Sequence, residues 1–399
     1  MKPFLLIILL ALSATTYSQE QSLLSFDLIT GVVDTLEMPD FDSTILNERT
    51  NFNMGKLNSD WCVLESTPPT GNIYPNSSFT KKRQASKDYD LNSFPVRTSV
   101  KLFEWANDSI DDLCSGIMIS RKHVLTAAHC VADINTNILR NDSIFVCPVF
   151  DNGTQNPDFE CSWVRKVFYF ENWNMSQTDF AVLELETPIG EKTGWVSIGF
   201  NAVDSSLLDG IFYRFSYPAI TIPFIDPNIY NGDTLYYNYG VADLANEHFL
   251  GISNTSGLPG ESGSSLVKVV NNDFYTSYGV SSFSSNLLHS RFTNWKYFAF
   301  KSIIINDIGL GITENGKENI TTVFPNPTSG YLTVVCQDNK IIKRIDIFDV
   351  NGRKVLEKLF SSNQINIDLS GLPKGLYLLI AHIGNHKIVK KIIKTDVTQ

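Results

Sequence analysis

Three short motifs, in the order histidine, aspartate, serine, carry the residues of this 399-residue chain that could do chemistry. His129 ends the run Leu-Thr-Ala-Ala-His, Asp179 precedes an apolar run, and Ser262 lies in Gly-Glu-Ser-Gly. A serine hydroxyl is a useful nucleophile only when a nearby base removes its proton and a third group orients that base. We therefore expect His129 to be the general base, Asp179 its orienting carboxylate and Ser262 the nucleophile.

These motifs resemble those of the chymotrypsin/trypsin-like serine endopeptidases, and the resemblance covers roughly residues 84–308. The order of the three residues is that of this class and differs from the subtilisin and α/β-hydrolase orders. The resemblance implies hydrolysis of protein or peptide substrates through an acyl-enzyme, with no metal or organic cofactor. It also implies an oxyanion hole made by the N–H groups of Gly260 and Ser262.

The sequence departs from the family in the residues that control activation and specificity. Glu261 stands where the family has an aspartate that pairs with the amine freed by activation, so we expect activation to differ in detail from the trypsin pattern. Ser256 stands where an aspartate would favour Lys or Arg substrates, which disfavours trypsin-type specificity. By position, Ser282, Phe283 and Ser284 are implicated in substrate binding.

Six cysteines in an exported chain are candidates for disulfides. Cys114 and Cys130 match the positions of a family disulfide beside the histidine, and Cys147 and Cys161 could pair across a hairpin. Cys62 and Cys336 have no obvious partner, and they lie in other regions of the chain. Because no Cys-x-x-Cys or clustered His–Cys spacing occurs, no metal site is predicted.

The elements that must position these residues are short strands. Residues 143–150, 164–170, 181–185 and 235–241 are β-rich runs separated by Asn, Asp, Gly and Ser turns, and 94–100 has the character of a first barrel strand. This pattern predicts an all-β barrel or sandwich, and the resemblance specifies a chymotrypsin-like double β-barrel. Residues 295–308 have helical spacing and predict a C-terminal helix, as in the family.

Residues 322–399 predict a second, smaller domain, an Ig-like antiparallel β-sandwich with Asn-Gly and Pro-Lys-Gly turns. Pro-Asn-Pro at 325–327, Asp-Val-Asn-Gly-Arg at 349–353, Gly-Leu-Tyr at 375–377 and a lysine-rich end resemble the type A C-terminal sorting domain of the type IX secretion system. This resemblance implies the export machinery as a partner. The alternative is a generic carbohydrate-binding or adhesive sandwich.

The remaining segments predict export and processing. Residues 1–18 have the lysine, apolar run and polar end of a cleavable signal peptide, and the run is too short to span a bilayer comfortably as an anchor. Residues 19–83 are interpreted as a pro-region that ends in an exposed basic run, Lys81-Lys82-Arg83, and residues 309–321 as a linker. No transmembrane segment is predicted in the mature chain.

Composition sets broad limits. The 43% hydrophobic and 19% charged residues are ordinary for globular protein, and the net charge of -10 disfavours nucleic acid as the main partner. The motifs and the two family resemblances together predict a secreted or cell-surface serine endopeptidase that is exported through the periplasm and outer membrane. The alternative is a catalytically silent relative that acts as a surface-binding or adhesive protein.

Overall fold

The computed structural model describes residues 22–50, 64–106, 109–136, 138–140, 143–219, 230–270, 274–283, 285–307, 321–326, 328–336, 341–349, 354–383 and 386–395. The chain divides into two compact units, residues 1–301 and 302–399. The predicted signal peptide, Cys62 and all of the predicted linker except residue 321 lie outside the described residues.

The first unit begins with an eight-stranded antiparallel sheet that contains a closed barrel. Strands β5 to β10 follow the order β10-β7-β6-β5-β8-β9, and pairing of β10 with β9 closes this six-stranded barrel. Alternating exposed and buried residues in the first half of β9 are typical of a strand with one face on a core. The strands of the chain up to this point are β1 (Leu23–Asp27), β2 (Val33–Leu36), β3 (Asn47–Arg49), β4 (Arg83–Gln84), β5 (Ser99–Ala106), β6 (Ser109–Met118), β7 (His123–Thr126), β8 (Ile144–Pro148), β9 (Ser162–Phe170) and β10 (Ala181–Leu185).

A ten-stranded sheet forms the second, half-open barrel of the same unit. Its main path runs β14-β15-β18-β17-β16-β12-β13-β4, and β11 joins it by pairing with β17 and β3. The strands added here are β11 (Ser197–Asn201), β12 (Phe212–Ser216), β13 (Tyr236–Gly240), β14 (Leu244–Ala245), β15 (Phe249–Gly251), β16 (Ser265–Val270), β17 (Phe274–Phe283) and β18 (Leu288–Arg291). The all-β, double-barrel prediction is therefore confirmed.

The segment interpreted as a pro-region contributes strands to both sheets. β1 pairs with β9, and β3 pairs with β11. β4 pairs with β13, and Phe79 is fully buried in a core cluster of the second barrel. These parts of residues 22–83 are therefore built into the fold.

In the described parts of the chain the helices are short, with one exception. They are α1 (Gly190–Thr193), α2 (Asp204–Leu207) and α3 (Asn294–Asp307), with 3₁₀ turns at Ala85–Lys87, Val96–Thr98, Ala128–Cys130 and Ser285–Leu287. The helix predicted at 295–308 is confirmed as α3. The strand predicted at 94–100 begins later, at Ser99, because Pro95 fixes a turn that continues into the 3₁₀ helix. Within the described residues, no helix has the length and apolar character to span a membrane.

The second unit is a β-sandwich of a three-stranded sheet, β19-β20-β23, and a four-stranded sheet, β22-β21-β24-β25. Both sheets contribute alternate apolar residues to one core cluster, which also buries Cys336. Its strands are β19 (Thr321–Phe324), β20 (Tyr331–Cys336), β21 (Ile342–Asp349), β22 (Lys354–Ser362), β23 (Gln364–Asp368), β24 (Gly375–Ile383) and β25 (His386–Lys394). The predicted sandwich is confirmed.

Candidate active site

Two antiparallel strands bring His129 and Asp179 together. β7 and β10 are paired with Ala181 opposite Thr126, so the residues that follow β7 and those that precede β10 meet at one end of the barrel. His129 lies in the 3₁₀ turn three residues after β7, and Asp179 lies two residues before β10. The pairing therefore accounts for a contact across 50 positions of sequence.

The contact between these two side chains has the geometry of an oriented base. Asp179 is completely buried, and its Oδ2 lies 2.8 Å from His129 Nδ1 while its Oδ1 accepts the His129 backbone N–H at 2.9 Å. A carboxylate on Nδ1 selects the tautomer with its proton on that nitrogen. His129 Nε2 is then the basic nitrogen of a ring whose side chain stays 20% exposed.

The predicted disulfide between Cys114 and Cys130 is present and fixes the turn that carries His129. The second predicted disulfide, Cys147–Cys161, is also present. Both pairings are confirmed. The sulfurs of Cys114 and Cys130 lie near His129 in a group that resembles a metal-ligand set, but they are bonded to each other and are not thiolates that could bind a metal.

The turn around Ser262 lies against the strand end that leads to His129. Gly263 has a left-handed backbone (φ +78°), and a Cβ there would lie 2.1 Å from Thr126 Oγ1 and 2.4 Å from the Ser115 carbonyl oxygen. Gly260 is also left-handed (φ +80°), and a Cβ would lie 2.3 Å from the Tyr217 carbonyl oxygen. Only glycine fits these two approaches without strain.

Sequence reasoning did not identify Ser115, which ties the turn around Ser262 to the first barrel. Its N–H donates to the Ser262 carbonyl at 2.9 Å, and its hydroxyl donates to the Gly260 carbonyl at 2.7 Å. Its carbonyl accepts the Thr126 hydroxyl at 2.9 Å. Its place directly after Cys114 is the one sequence signal that could have drawn attention to it.

Glu261, next to Ser262, is buried with four polar partners. Its Oε1 accepts from Arg214 Nη2 at 2.9 Å and from the Ser216 hydroxyl at 3.0 Å. Its Oε2 accepts the Leu258 N–H at 2.7 Å and lies 3.5 Å from Lys82 Nζ. Burial alone would raise the pKa of this carboxyl, but the two cations and the two hydrogen bonds outweigh it and hold the pKa below its ordinary value.

The basic run at 81–83 differs from the prediction. Lys81 and Arg83 are exposed as expected, but Lys82 is buried. The physical reason is its ion pair with Glu261, which offsets the free-energy cost of burying the Lys82 ammonium group. Nothing in the sequence alone indicates which of three adjacent basic residues turns inward.

The residues predicted to bind substrate are only partly described. Ser256 is exposed, and its carbonyl accepts from Lys82 Nζ at 3.3 Å. Ser282 is buried, with its hydroxyl 2.8 Å from that of Ser290. Phe283 ends β17, its side chain is outside the described part, and Ser284 is outside it altogether. Their roles stay predictions.

Comparison with known proteins identifies both units. Residues 84–208 match the family model "Trypsin", and residues 322–395 match "Secretion system C-terminal sorting domain". The first match includes His129 and Asp179 and ends before Ser262.

Similar curated proteins include serine protease 23 of Bos taurus, 29% identical over 144 residues, which are 31% of this chain and 36% of that protein. Glutamyl endopeptidase of Bacillus licheniformis is 28% identical over 169 residues, which are 41% of this chain and 50% of that protein. The chain thus spans between a third and a half of the relatives it matches. A solved Glu endopeptidase in complex with MPD is similar with a TM-score of 0.44 and 18% identity, over 56% of this chain and 96% of that one.

The sorting domain marks the chain as a secreted protein, which confirms the predicted localisation. The chain therefore contains a segment that matches the Trypsin family, residues 84–208, and a segment that matches the secretion system C-terminal sorting domain, residues 322–395.

Proposed function

We propose that the protein is a secreted serine endopeptidase that cleaves peptide bonds through His129, Asp179 and Ser262. The observation that carries this proposal is the buried Asp179 carboxylate, which holds both the backbone and the Nδ1 of His129 at 2.8–2.9 Å. Both contacts restrain the ring that the proposed reaction requires as its base. The Gly263 turn lies against the strand end that precedes this histidine.

The three residues have different roles in the proposed reaction. His129 Nε2 removes the proton of the Ser262 hydroxyl as the oxygen attacks the carbonyl carbon, and it then gives that proton to the leaving amine. Asp179 keeps the imidazole in the required tautomer and stabilises the imidazolium. Water then hydrolyses the acyl-enzyme by the same proton transfers in reverse order.

The N–H groups of Gly260 and Ser262 are the proposed donors to the oxyanion. Within the described ranges neither N–H donates to another group, so both are available for a substrate oxygen. The carbonyl groups of the same two residues, Gly260 and Ser262, both accept hydrogen bonds from Ser115, which fixes the direction of the backbone in this turn. Loss of one such donor costs about 10²–10³ in rate in a comparable enzyme.

The test is hydrolysis of an internally quenched peptide library by the purified protein and by Asp179→Asn. An asparagine amide facing Nδ1 forces the wrong imidazole tautomer, so kcat should fall by about 10⁴ while the far-ultraviolet spectrum stays unchanged. Products identified by mass spectrometry would define the cleaved bond. A folded wild-type protein that cleaves no peptide would instead support the silent, surface-binding alternative.

A further inference from the structure

Lys82 is buried although the basic residues on either side of it are exposed. Its ammonium group lies 3.5 Å from Glu261 Oε2, 3.3 Å from the Ser256 carbonyl oxygen and 3.2 Å from the Tyr74 hydroxyl. Two of these partners, Ser256 and Glu261, lie on the turn that runs into Ser262. Lys82 therefore joins two points of the turn whose N–H groups are the proposed oxyanion donors.

The Glu261 carboxylate already has two cationic partners and needs no third cation from a newly formed chain end. Arg214, which is completely buried, forms an ion pair with Oε1 of the carboxylate, and Lys82 forms an ion pair with Oε2. The Leu258 N–H and the Ser216 hydroxyl complete its hydrogen bonds. All of these partners are present in the uncut chain, in which Lys82 is still bonded to Arg83.

The backbone on both sides of Lys82 is also part of the second barrel. Arg83 and Gln84 form β4 against Tyr237 and Tyr236, and the Thr80 N–H donates to the Tyr239 carbonyl at 2.8 Å. Phe79 is fully buried. A cut after Arg83 that released the preceding residues would remove a core side chain and an ion-pair partner of Glu261.

We infer that Lys82 is a positioning residue that holds the oxyanion turn in its working shape, so that the protease is active without cleavage at the basic run 81–83. This inference rests on the proposed function, because it assigns Lys82 to the turn of the proposed nucleophile. It places the residues from Leu64 to Arg83 in the mature enzyme. The pro-region, which was predicted to end at residue 83, then ends before residue 64.

The test is the rate at which a fluorophosphonate probe labels the full chain and three variants. Lys82→Met keeps the apolar stem but removes the charge, and its labelling rate should fall about 10–100-fold, up to the loss expected for one misplaced oxyanion donor. Lys81→Gln/Arg83→Gln removes both exposed basic residues and the cleavage signal, and its rate should stay within about twofold of wild type. Ser262→Ala shows that the label is on the proposed nucleophile.

A second readout separates positioning from general stability. With peptide substrates, Lys82→Met should lower kcat with little change in KM, and Lys82→Arg should recover part of the lost kcat, since it restores the charge. Mass spectrometry of the labelled wild-type chain should find residues 64–83 still present. This last measurement holds even where Lys82→Met does not fold.

Three results would overturn the inference. The first is that Lys82→Met labels at the wild-type rate. The second is that residues 64–83 are absent from the labelled enzyme. The third is that Lys81→Gln/Arg83→Gln, which cannot be cut at the basic run, no longer labels. In each of these cases the wild type still labels at Ser262, so the proposed function stands. A wild type that does not label would overturn both proposals.

Discussion

Gly263 has its backbone in the left-handed region immediately after Ser262, the proposed nucleophile, and a Cβ at this position would clash with Thr126 and Ser115. At the scale of the residue, the proposed site therefore depends on the absence of a side chain at Gly263 as well as on the side chains of His129, Asp179 and Ser262. The close approach lets the second barrel present Ser262 beside the turn that carries His129.

Gly263→Ala should destabilise the protein by about 2–5 kcal/mol, through left-handed strain plus a clash with backbone and hydroxyl atoms. Gly153→Ala is the matched control, because Gly153 is also left-handed (φ +73°) but has nothing within 4 Å of its added Cβ. The control should cost only about 1 kcal/mol. Equal losses in urea unfolding would show that the close contact is not part of the native turn.

Glu261 makes a pH-dependent contribution to stability. Its folded pKa lies below the ordinary value of 4.5, so the ionised carboxylate stabilises the fold above that pH, and this contribution is lost as pH falls through the lowered pKa. Glu261→Gln should cost about 3–5 kcal/mol at neutral pH, since it leaves Arg214 and Lys82 without their buried counter-charge.

The difference in free energy of unfolding between wild type and Glu261→Gln should therefore shrink as the solution is acidified below pH 4.5. The other carboxyls of low pKa, such as Asp27 and Asp346, are present in both proteins and cancel in the difference. Urea unfolding at a series of pH values measures it. A difference that does not change with pH would contradict this assignment.

At the scale of the element, the two disulfides provide a comparison within one molecule. Cys114–Cys130 spans 16 positions and Cys147–Cys161 spans 14, so the chain-entropy model gives each about 3 kcal/mol of stabilisation. They differ in place, because only the first fixes the 3₁₀ turn of His129.

Replacing either pair with alanines should lower the free energy of unfolding by a similar amount. Only loss of Cys114–Cys130 should also lower kcat, by about tenfold, because His129 would lose a restraint on its position. Urea melts and peptide hydrolysis measure the two effects separately. Equal kcat in both variants would show that the turn is held by its other contacts, such as those of Asp179.

Short β-rich runs with turn residues between them predicted strands that the structure contains, and the family resemblance specified the double barrel. The order and spacing of the motifs, together with the resemblance, predicted the contact between His129 and Asp179. The prediction of a strand over 94–100 is wrong at its start, because Pro95 sets a turn that continues into the 3₁₀ helix Val96–Thr98.

Long-range contacts account for what the sequence could not reveal. Ser115 holds the turn of the proposed nucleophile through its backbone N–H and its hydroxyl, which reach Ser262 and Gly260 across more than 140 positions of sequence. Lys82 lies in a basic run, and its inward direction depends on Glu261, 179 positions away. The residues that surround Ser115 and Lys82 in sequence do not indicate either of these contacts.

At the scale of the whole molecule, the protein consists of two units, each with its own hydrophobic core. The sandwich has its own apolar cluster, and its family is described by secretion rather than by catalysis. The barrels contain all of the residues of the proposed reaction. The sorting unit should thus affect where the enzyme is found and not its rate.

A variant that ends at residue 320 should therefore label with a fluorophosphonate probe within about twofold of the full chain. In the producing cell it should accumulate in the periplasm, because the sorting unit is missing, while the full chain reaches the medium or the cell surface. Labelling of each fraction measures both effects. Normal export of the shortened chain would contradict the assignment of residues 322–395 as the secretion address.

The most direct test of the central claim is fluorophosphonate labelling of the secreted protein, in wild type and in Ser262→Ala. We predict that the wild type labels at Ser262 and that the variant, folded to the same extent, does not. A folded wild type that fails to label, or a Ser262→Ala variant that labels equally, would contradict the claim that Ser262 is an activated nucleophile.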